Sequence, residues 1–285
     1  MANLTLGNDV NTATFSLNKS IDLSKILTLK NNVTLAIGNN YLNLKSSSNA
    51  TAMVAPVPNN ANITYGSGRF VVERYYPQRR SWRLVTAPIT ADAGRSVFTS
   101  WQQGNAPFTI SGSGTFVTGK NASTANGLDV SPLNNSSLKT YNGTTYVDAS
   151  DTKNLLLSGT GGIAGTPDNI GFFLFVRGDR DPGANLFTIP YMNNTTLRDT
   201  GKIQIKDQIF NANGDAGSFA LIGNPYASPV DITNIMASSS NVDPNYFWAF
   251  DPRINTEQGA YVSMVLVGGV WKAVPSNPLV TQDKN

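Results

Sequence analysis

Arginines alternate with aromatic residues in residues 69–90, RFVVERYYPQRRSWRLVTAPIT, and surround a single acidic residue there. Only 14% of the chain is charged, so this concentration of guanidinium groups is the first candidate for chemistry. Guanidinium groups interleaved with rings can bind nucleic acid, bind a polysaccharide, or anchor two strands of a sheet. The residues concerned are Arg69, Arg74, Arg79, Arg80 and Arg83, with Glu73, Tyr75, Tyr76 and Trp82 between them.

The two strand-like runs of this segment distribute its arginines over both faces of a sheet. Side chains alternate along a strand, so Arg74 shares a face with Phe70 and Val72, whereas Arg83 lies opposite Trp82. A nucleic-acid interface needs basic groups that converge on one surface. The net charge is only +3. We therefore predict that the arginines brace the sheet and that the protein does not bind nucleic acid.

A second charged motif is the turn after the apolar run FFLFV. Arg177, Gly178 and Asp179 form the tripeptide of integrin recognition, which makes them a candidate contact with a partner. Asp179, Asp181 and Asp168 could also supply oxygen ligands to Ca²⁺, although no EF-hand spacing is present. A charged turn that closes a buried strand explains the same residues, and we favour that interpretation over both functions.

Aromatic residues in or beside predicted turns are candidates for stacking on sugars. Trp101, Trp248 and Trp271, together with Tyr226, occupy such positions, and Asn and Asp side chains are abundant around them. A tryptophan of a β-domain more often fills the core. We expect the core role, and keep the three tryptophans as candidate contacts with a ligand or partner in a carbohydrate-binding module.

The composition removes most catalytic chemistry. The chain has no cysteine and no histidine, so thiolate, imidazole and Ser-His-Asp chemistry are excluded. The 18 acidic residues offer no distinctive pair, and no phosphate-binding or nucleophile motif is present. We predict a protein that is not an enzyme and has no cofactor. A glycosidase-like enzyme built on Glu73 and an aspartate is the weakest alternative.

The first fifty residues must form short strands. Leu, Ile, Val or Phe recurs at every second position, and Asn and Gly interrupt the alternation every 8 to 12 residues. Imperfect copies of LTLGN suggest solenoid rungs, and an antiparallel meander explains the pattern equally well. Residues 46–68 resemble a connector, so we divide the chain into a segment 1–65 and a domain 66–285, truncated at its C-terminal end.

The rest of the chain predicts an all-β domain. Strand-like runs recur up to VWKAV, and VDITNIMAS is the one helix-compatible piece. An antiparallel β-sandwich or jelly-roll-like domain with long loops is the expected fold. No apolar run is long enough to span a membrane, and no signal peptide is visible. If the parent protein is exported, its targeting signals are expected outside this chain.

Several segments together resemble a β-rich region of large secreted Bacteroidetes proteins, where it precedes the sorting domain of the type IX secretion system. They are VVERYYPQRRSWRLVTAPIT, SLKTYNGTT, GFFLFVRGDR, SFALIGNPYASPVDI and NYFWAFDPRINTEQGAYV, in patches over residues 40–270. The resemblance implies secretion or surface display as an adhesin-like module that supports adhesion, matrix or filament assembly. It also groups Arg74, Arg79, Arg80, Trp82 and Arg83 with Asn224, Pro225 and Tyr226 as one structural signature.

This chain departs from that pattern at its end, where the usual further strand and sorting domain are missing. We therefore expect a fragment with an open sheet edge, to which another copy or segment of the same protein can add as a homo-oligomer. Cell-surface or matrix glycans are the other expected partners. We also predict that Arg79, Arg80 or Arg83 is buried on the carbonyls of the turn at 224–229, on Asp179 or on Asp251.

Overall fold

The structure is a computed structural model that describes residues 1–90, 95–105, 112–158, 171–181, 193–210, 217–254 and 258–274. These residues form strands and loops with one α-helix, α1 (Ile232–Ser238), and a single 3-10 turn, Gln103–Asn105. The all-β prediction is confirmed. No helix among the described residues is long and apolar enough to cross a membrane.

Nine short strands make up the N-terminal part. They are β1 (Leu4–Leu6), β2 (Ala13–Ser16), β3 (Ile21–Leu23), β4 (Ile26–Leu29), β5 (Val33–Ala36), β6 (Tyr41–Leu44), β7 (Met53–Val54), β8 (Asn62–Thr64) and β9 (Arg69–Tyr76). All pairing among them is parallel, in the orders β1-β4-β7, β2-β5-β8 and β3-β6-β9. Residues 4–76 are therefore a β-solenoid of three rungs with three strands each, and not a meander.

Alternating apolar residues fill the interior of this solenoid. Residues that pair between rungs are stacked one above another, because the pairing is parallel and in register. The stacks include Ile21, Leu42 and Phe70; Leu23, Leu44 and Val72; and Phe15, Leu35 and Ile63. Asn and Gly occupy corners between strands, where Asn32 and Gly38 have positive φ.

The segment predicted as a connector belongs to the third rung. Residues 46–68 contain β7 and β8, which pair with β4 and β5 of the second rung. The strands are short and X-Pro steps interrupt the segment, so its sequence pattern indicated strands only weakly. Pairing with the neighbouring rung supplies the backbone hydrogen bonds that make β7 and β8 strands. The third rung then runs past position 65 into β9, and the division into 1–65 and 66–285 stays a prediction.

Nine further strands follow the solenoid. They are β10 (Ser81–Val85), β11 (Ile89–Thr90), β12 (Leu138–Tyr141), β13 (Tyr146–Asp148), β14 (Phe172–Val176), β15 (Thr195–Ile203), β16 (Tyr246–Asp251), β17 (Ala260–Val267) and β18 (Val270–Val274). Their sheets have the orders β11-β15-β9-β6-β3, β10-β14-β12-β13 and β16-β17-β18. Strand β9 is thus shared, because it pairs in parallel with β6 and antiparallel with β15.

The five-stranded and four-stranded sheets pack face to face, in a sandwich-like manner. Trp101 lies between them, with its ring centroid 5.2 Å from that of Phe172 and its Nε1 2.8 Å from an oxygen of Asp199. Nearby, the Arg83 guanidinium carbon lies 5.1 Å from the centre of the Tyr76 ring. These contacts link β14 and β10 to β15 and β9. The core of the solenoid therefore continues into the part of the chain that follows β9, which we call the body.

The sheet β16-β17-β18 forms an outer layer between the body and helix α1. On one face, Phe250 meets Phe173 of the four-stranded sheet at 4.9 Å between ring centroids. On the other face, Trp271 packs on Phe247 and donates from Nε1 to Thr233 Oγ1 of α1 at 3.0 Å. The side chain of Asp231 caps the start of α1 by accepting from the Thr233 amide.

Candidate functional site

A buried carboxylate joins the solenoid to the body. Glu73 on β9 is 3% exposed and accepts from Lys45 Nζ at 2.6 Å, from Arg198 Nε at 2.8 Å and from the Ser46 amide at 3.2 Å. Burial alone raises the pKa of this group, but the hydrogen bonds from Lys45 and Arg198 outweigh it and lower the pKa. Glu73 therefore stays ionised and ties the corner of the second rung to β15.

A second buried carboxylate lies on the opposite face of the same sheet. Asp199 on β15 is 2% exposed, pairs with Val72 in the register and accepts from Trp101 Nε1. Burial raises the pKa of Asp199 to about 7, although Trp101 and the charge of Arg74 act in the other direction. Because Glu73 and Val72 point to opposite faces, the two carboxylates cannot flank one substrate bond as glycosidase residues do.

The arginines of the first candidate segment separate, as their alternation predicts. Arg79 donates from Nε to Pro252 O at 2.8 Å and from Nη2 to Arg253 O at 3.1 Å. It therefore holds the turn after β16, which is next to Asp251 and not at 224–229. Arg83 points inward, and its guanidinium lies over the Tyr76 ring. We predicted a turn carbonyl or an aspartate as its partner, and the structure has an aromatic ring there.

Two arginines, one from this segment and one from the turn after β14, do share one face of a sheet. The register of β10 and β14 places Arg80 beside Arg177, and the two guanidinium carbons lie 5.9 and 4.8 Å from the centre of the Phe175 ring. Trp82 stacks on Phe173 at 4.5 Å. Burial lowers the pKa of Arg177 to about 10, and the charge of Arg80 adds to this. These contacts fit arginine stems that cover rings.

The Arg-Gly-Asp turn is closed to a receptor. Asp179 is 1% exposed, accepts from the Gly112 amide and from Asn193 Nδ2, and thus has its carboxylate occupied within the protein. Gly178 has a φ of +114° and lies against Asn193. An integrin-type contact needs an accessible aspartate, so the buried Asp179 fits the structural turn that we favoured, and not the candidate partner contact through Arg177, Gly178 and Asp179.

The weak Ca²⁺ prediction gains no support. The described residues contain no group of three His, Cys, Asp or Glu side chains that could hold a metal ion. Asp179 also accepts from the Asp181 amide at 3.1 Å, so backbone and amide donors occupy its oxygens. Asp168, the third proposed ligand, lies outside the described residues.

Sequence reasoning missed the next residue of the same turn. Arg180 is 4% exposed and makes a bidentate pair with Asp129, at 2.7 Å from Nη1 and 3.0 Å from Nη2. Its guanidinium also covers Phe116 at 4.4 Å. Asp129 in turn accepts from Gln102 and from the Val117 amide. No local pattern could reveal this network, because its members lie in four separate loops.

The turn at Asn224, Pro225 and Tyr226 lies against the far end of the solenoid. Asn224 accepts from the Tyr226 amide at 2.9 Å and donates to Ser228 O at 2.7 Å, which fixes the turn. The Val54 amide of β7 then donates to Ala227 O at 3.0 Å. This turn therefore contacts the third rung, while the grouping of Asn224, Pro225 and Tyr226 with the arginine segment as one signature stays a prediction.

The three candidate tryptophans differ in exposure and packing. Trp101 is 1% exposed, so it has the expected core role and is not available as the candidate ligand contact. Trp271 packs on Phe247. Trp248 is 44% exposed and packs edge-on against Phe219 and Tyr246, at 4.7 and 4.6 Å between centroids. We call Phe219, Tyr246 and Trp248 the aromatic patch. It is an exposed ring surface on which a sugar could stack.

Comparison of the chain with protein-family models, with curated proteins and with solved structures found no match.

Proposed function

We propose that the chain is a non-enzymatic, adhesin-like structural module of a large exported bacterial surface protein, where it supports adhesion, matrix or filament assembly. The observation that carries the proposal is the sharing of β9 between the solenoid and the body. In a solenoid each rung contacts only its neighbours, and the stacked rungs present an extended surface. Here the last rung is continuous with a sheet of the body, so backbone hydrogen bonds join the two parts through β9.

Further features support a structural role. The guanidinium groups of Arg79, Arg83 and Arg180 are directed to turn carbonyls, a ring and a carboxylate within the protein. The resemblance to the region before the type IX sorting domain adds secretion and surface display to this proposal. The proposed partners are other copies or segments of the same surface protein, or matrix glycans, and not nucleic acid.

Labelling of cells tests the proposal. An antibody raised against the purified chain should label intact cells of the organism that makes the protein, and brief external protease treatment should remove the label. Deletion of the gene should lower attachment or matrix formation. Label that appears only after the cells are permeabilised, in parallel with a cytoplasmic control protein, would contradict surface display.

The aromatic patch favours a second candidate, a carbohydrate-binding module. Trp248 and Phe219 are 44% and 54% exposed, and edge-on neighbours hold the Trp248 ring in place. If the patch binds glycans, Trp248→Ala should abolish binding on a glycan array, whereas Trp271→Ala should keep it. Absence of any glycan signal for the wild-type protein would reject this candidate and leave the structural proposal untouched.

A further inference from the structure

The N-terminal end of the solenoid is a sheet edge, where the only contact from the described part of the chain is that of the Met1 ammonium with Asp22 O of β3, at 3.0 Å. Strands β1, β2 and β3 are each the outermost strand of their sheets, and within the described residues no strand pairs with their outer sides. All three edges belong to the first rung, so they face the same direction. Unpaired edges of this kind accept further strands readily.

Apolar side chains of the interior are also uncovered at this end. Phe15, in the first rung, is 37% exposed, whereas its stacking partners Leu35 and Ile63 are 0% and 7% exposed. Leu4 is likewise partly exposed above the fully buried Leu27. Side chains of the same stack are therefore buried in the second rung and partly exposed to solvent in the first rung.

The opposite end of the solenoid is covered in part, although β8 is also the outermost strand of its sheet. The amide of Val54 in the third rung donates to Ala227 O at 3.0 Å, and β9 pairs along its outer side with β15. Val54, Ile63 and Val72 of the third rung are at most 7% exposed, so the apolar interior is covered at this end, whereas Phe15 leaves it uncovered at the N-terminal end.

Polar side chains at the corners give the stacking a direction. Asn3, Asp9 and Ser20 of the first rung accept from the backbone amides of Ile26, Asn31 and Tyr41 in the second, at 3.1, 2.8 and 2.9 Å. The second rung repeats this on the third, where Asn39 and Ser46 accept from the amides of Ser67 and Tyr75. Each rung thus uses its corner acceptors on the rung that follows it.

We propose that the open end binds a further β-solenoid rung in parallel register. The partner is a segment of about one rung, 20 to 28 residues by the spacing of Ala13 from Val33 and of Leu35 from Ile63. It carries Leu, Ile or Val at inward positions and Asn, Asp or Ser at the corners. A second copy turned end to end does not fit as well, because the corner acceptors of both first rungs already bind their own second rungs.

An extended chain tests this inference. A duplicate of residues 3–25 is inserted directly before Asn3, which keeps the register of Leu4 with Leu27. The added rung covers Phe15 and pairs the three outer edges, so the Tm should rise by about 5 °C or more. In the matched control, the inserted copies of Leu6 and Phe15 are replaced by Asp, and the rise should be absent. An unchanged or lower Tm with the intact insert, or loss of the fold, would overturn the inference.

Light scattering on the original chain tests the remaining alternative, in which a second copy of the chain covers the N-terminal end of the solenoid. We expect a monomer, or loose association that Phe15→Asp does not alter. A stable dimer that Phe15→Asp dissociates would show that a second copy closes this end, and would also overturn the inference. The inference extends the proposed structural role, but these measurements are made in vitro, so their failure leaves the test of surface display intact.

Discussion

Glu73 on β9 and Arg198 on β15 pair directly across the shared sheet, with 2.8 Å between Glu73 Oε1 and Arg198 Nε. Lys45 reaches the same carboxylate oxygen from the corner of the second rung. One acidic group therefore joins the solenoid, the shared strand and the body, in a position where it is almost fully buried.

Glu73→Gln should destabilise the protein by about 2 kcal/mol, because two cations and a backbone amide lose a charged acceptor. The loss stays below that of a fully buried pair, since Lys45 and Arg198 remain 39% and 27% exposed and can turn to water. Chemical denaturation measures it. Asp148→Asn removes the exposed Lys139–Asp148 pair and is the control, with an expected cost below about 0.5 kcal/mol. Equal costs for both variants would contradict the role of Glu73.

Asp199→Asn should change how stability depends on pH. Asp199 stays protonated up to about pH 7 in the folded state, whereas an aspartate in the unfolded chain has its ordinary pKa of 3.8. The unfolded state therefore loses this proton first, and the wild-type protein loses stability as pH rises from about 4 to about 7. The Asn variant does not titrate, so its stability relative to wild type should increase by up to about 1.4 kcal/mol per pH unit over that window.

Unfolding free energies of both proteins, measured at several pH values, check this relation. Trp101 can still donate to the amide oxygen of Asn, so the comparison isolates the charge. Parallel stability curves between pH 4 and 7 would show that Asp199 is ionised in the folded protein.

Gly178→Ala should destabilise the turn that closes β14. A Cβ at this position would overlap Asn193 Oδ1, which binds the Asp179 amide. Gly143→Ala is the matched control, because Gly143 also has a positive φ but no atom lies within 4 Å of its added Cβ. We expect Gly178→Ala to cost about 1–2 kcal/mol more than the control by chemical denaturation. If the two variants cost the same, backbone strain alone explains them.

Arg79→Ala should loosen the turn after β16 from the edge of β10. The amide of Trp82 donates to Gln258 O at 3.3 Å, next to the two carbonyls that Arg79 holds. Hydrogen exchange of the Trp82 amide should become about tenfold faster in this variant, as expected for the loss of a charged donor. Arg253→Ala should leave that exchange unchanged, because Arg253 pairs with Asp251 of its own turn. If exchange of the Trp82 amide changed equally in both variants, Arg79 would not be the residue that holds this turn against β10.

The local sequence predicted the short strands of the first fifty residues, because alternation and Asn or Gly corners act over a few residues. It missed most of β15, and it predicted a strand at residues 218–225, where the structure has none. Leu27, Leu29, Leu42 and Leu44 point inward as their spacing requires. The same pattern left a solenoid and a meander open, since both satisfy alternation. Parallel stacking across 20 or more residues decided between them. It also placed β7 and β8 in the third rung, where the local signal was too weak to show strands.

Candidate residues of one type were separated by tertiary structure alone. Trp101 and Trp248 both lie near predicted turns, yet one donates to a buried aspartate and the other faces solvent. Asp179 and Arg180 adjoin in sequence, but Asn193 and Asp129, from distant loops, determine what each side chain binds.

The sequence by itself determined that the chain forms strands, that it has no histidine or cysteine chemistry, and that its arginines alternate between faces. Only the tertiary structure decided which edges are paired, which carboxylates are buried and which ring is exposed. The physical reason is that strand formation and side-chain alternation depend on neighbours along the chain, whereas burial and pairing depend on residues that folding brings together from far apart.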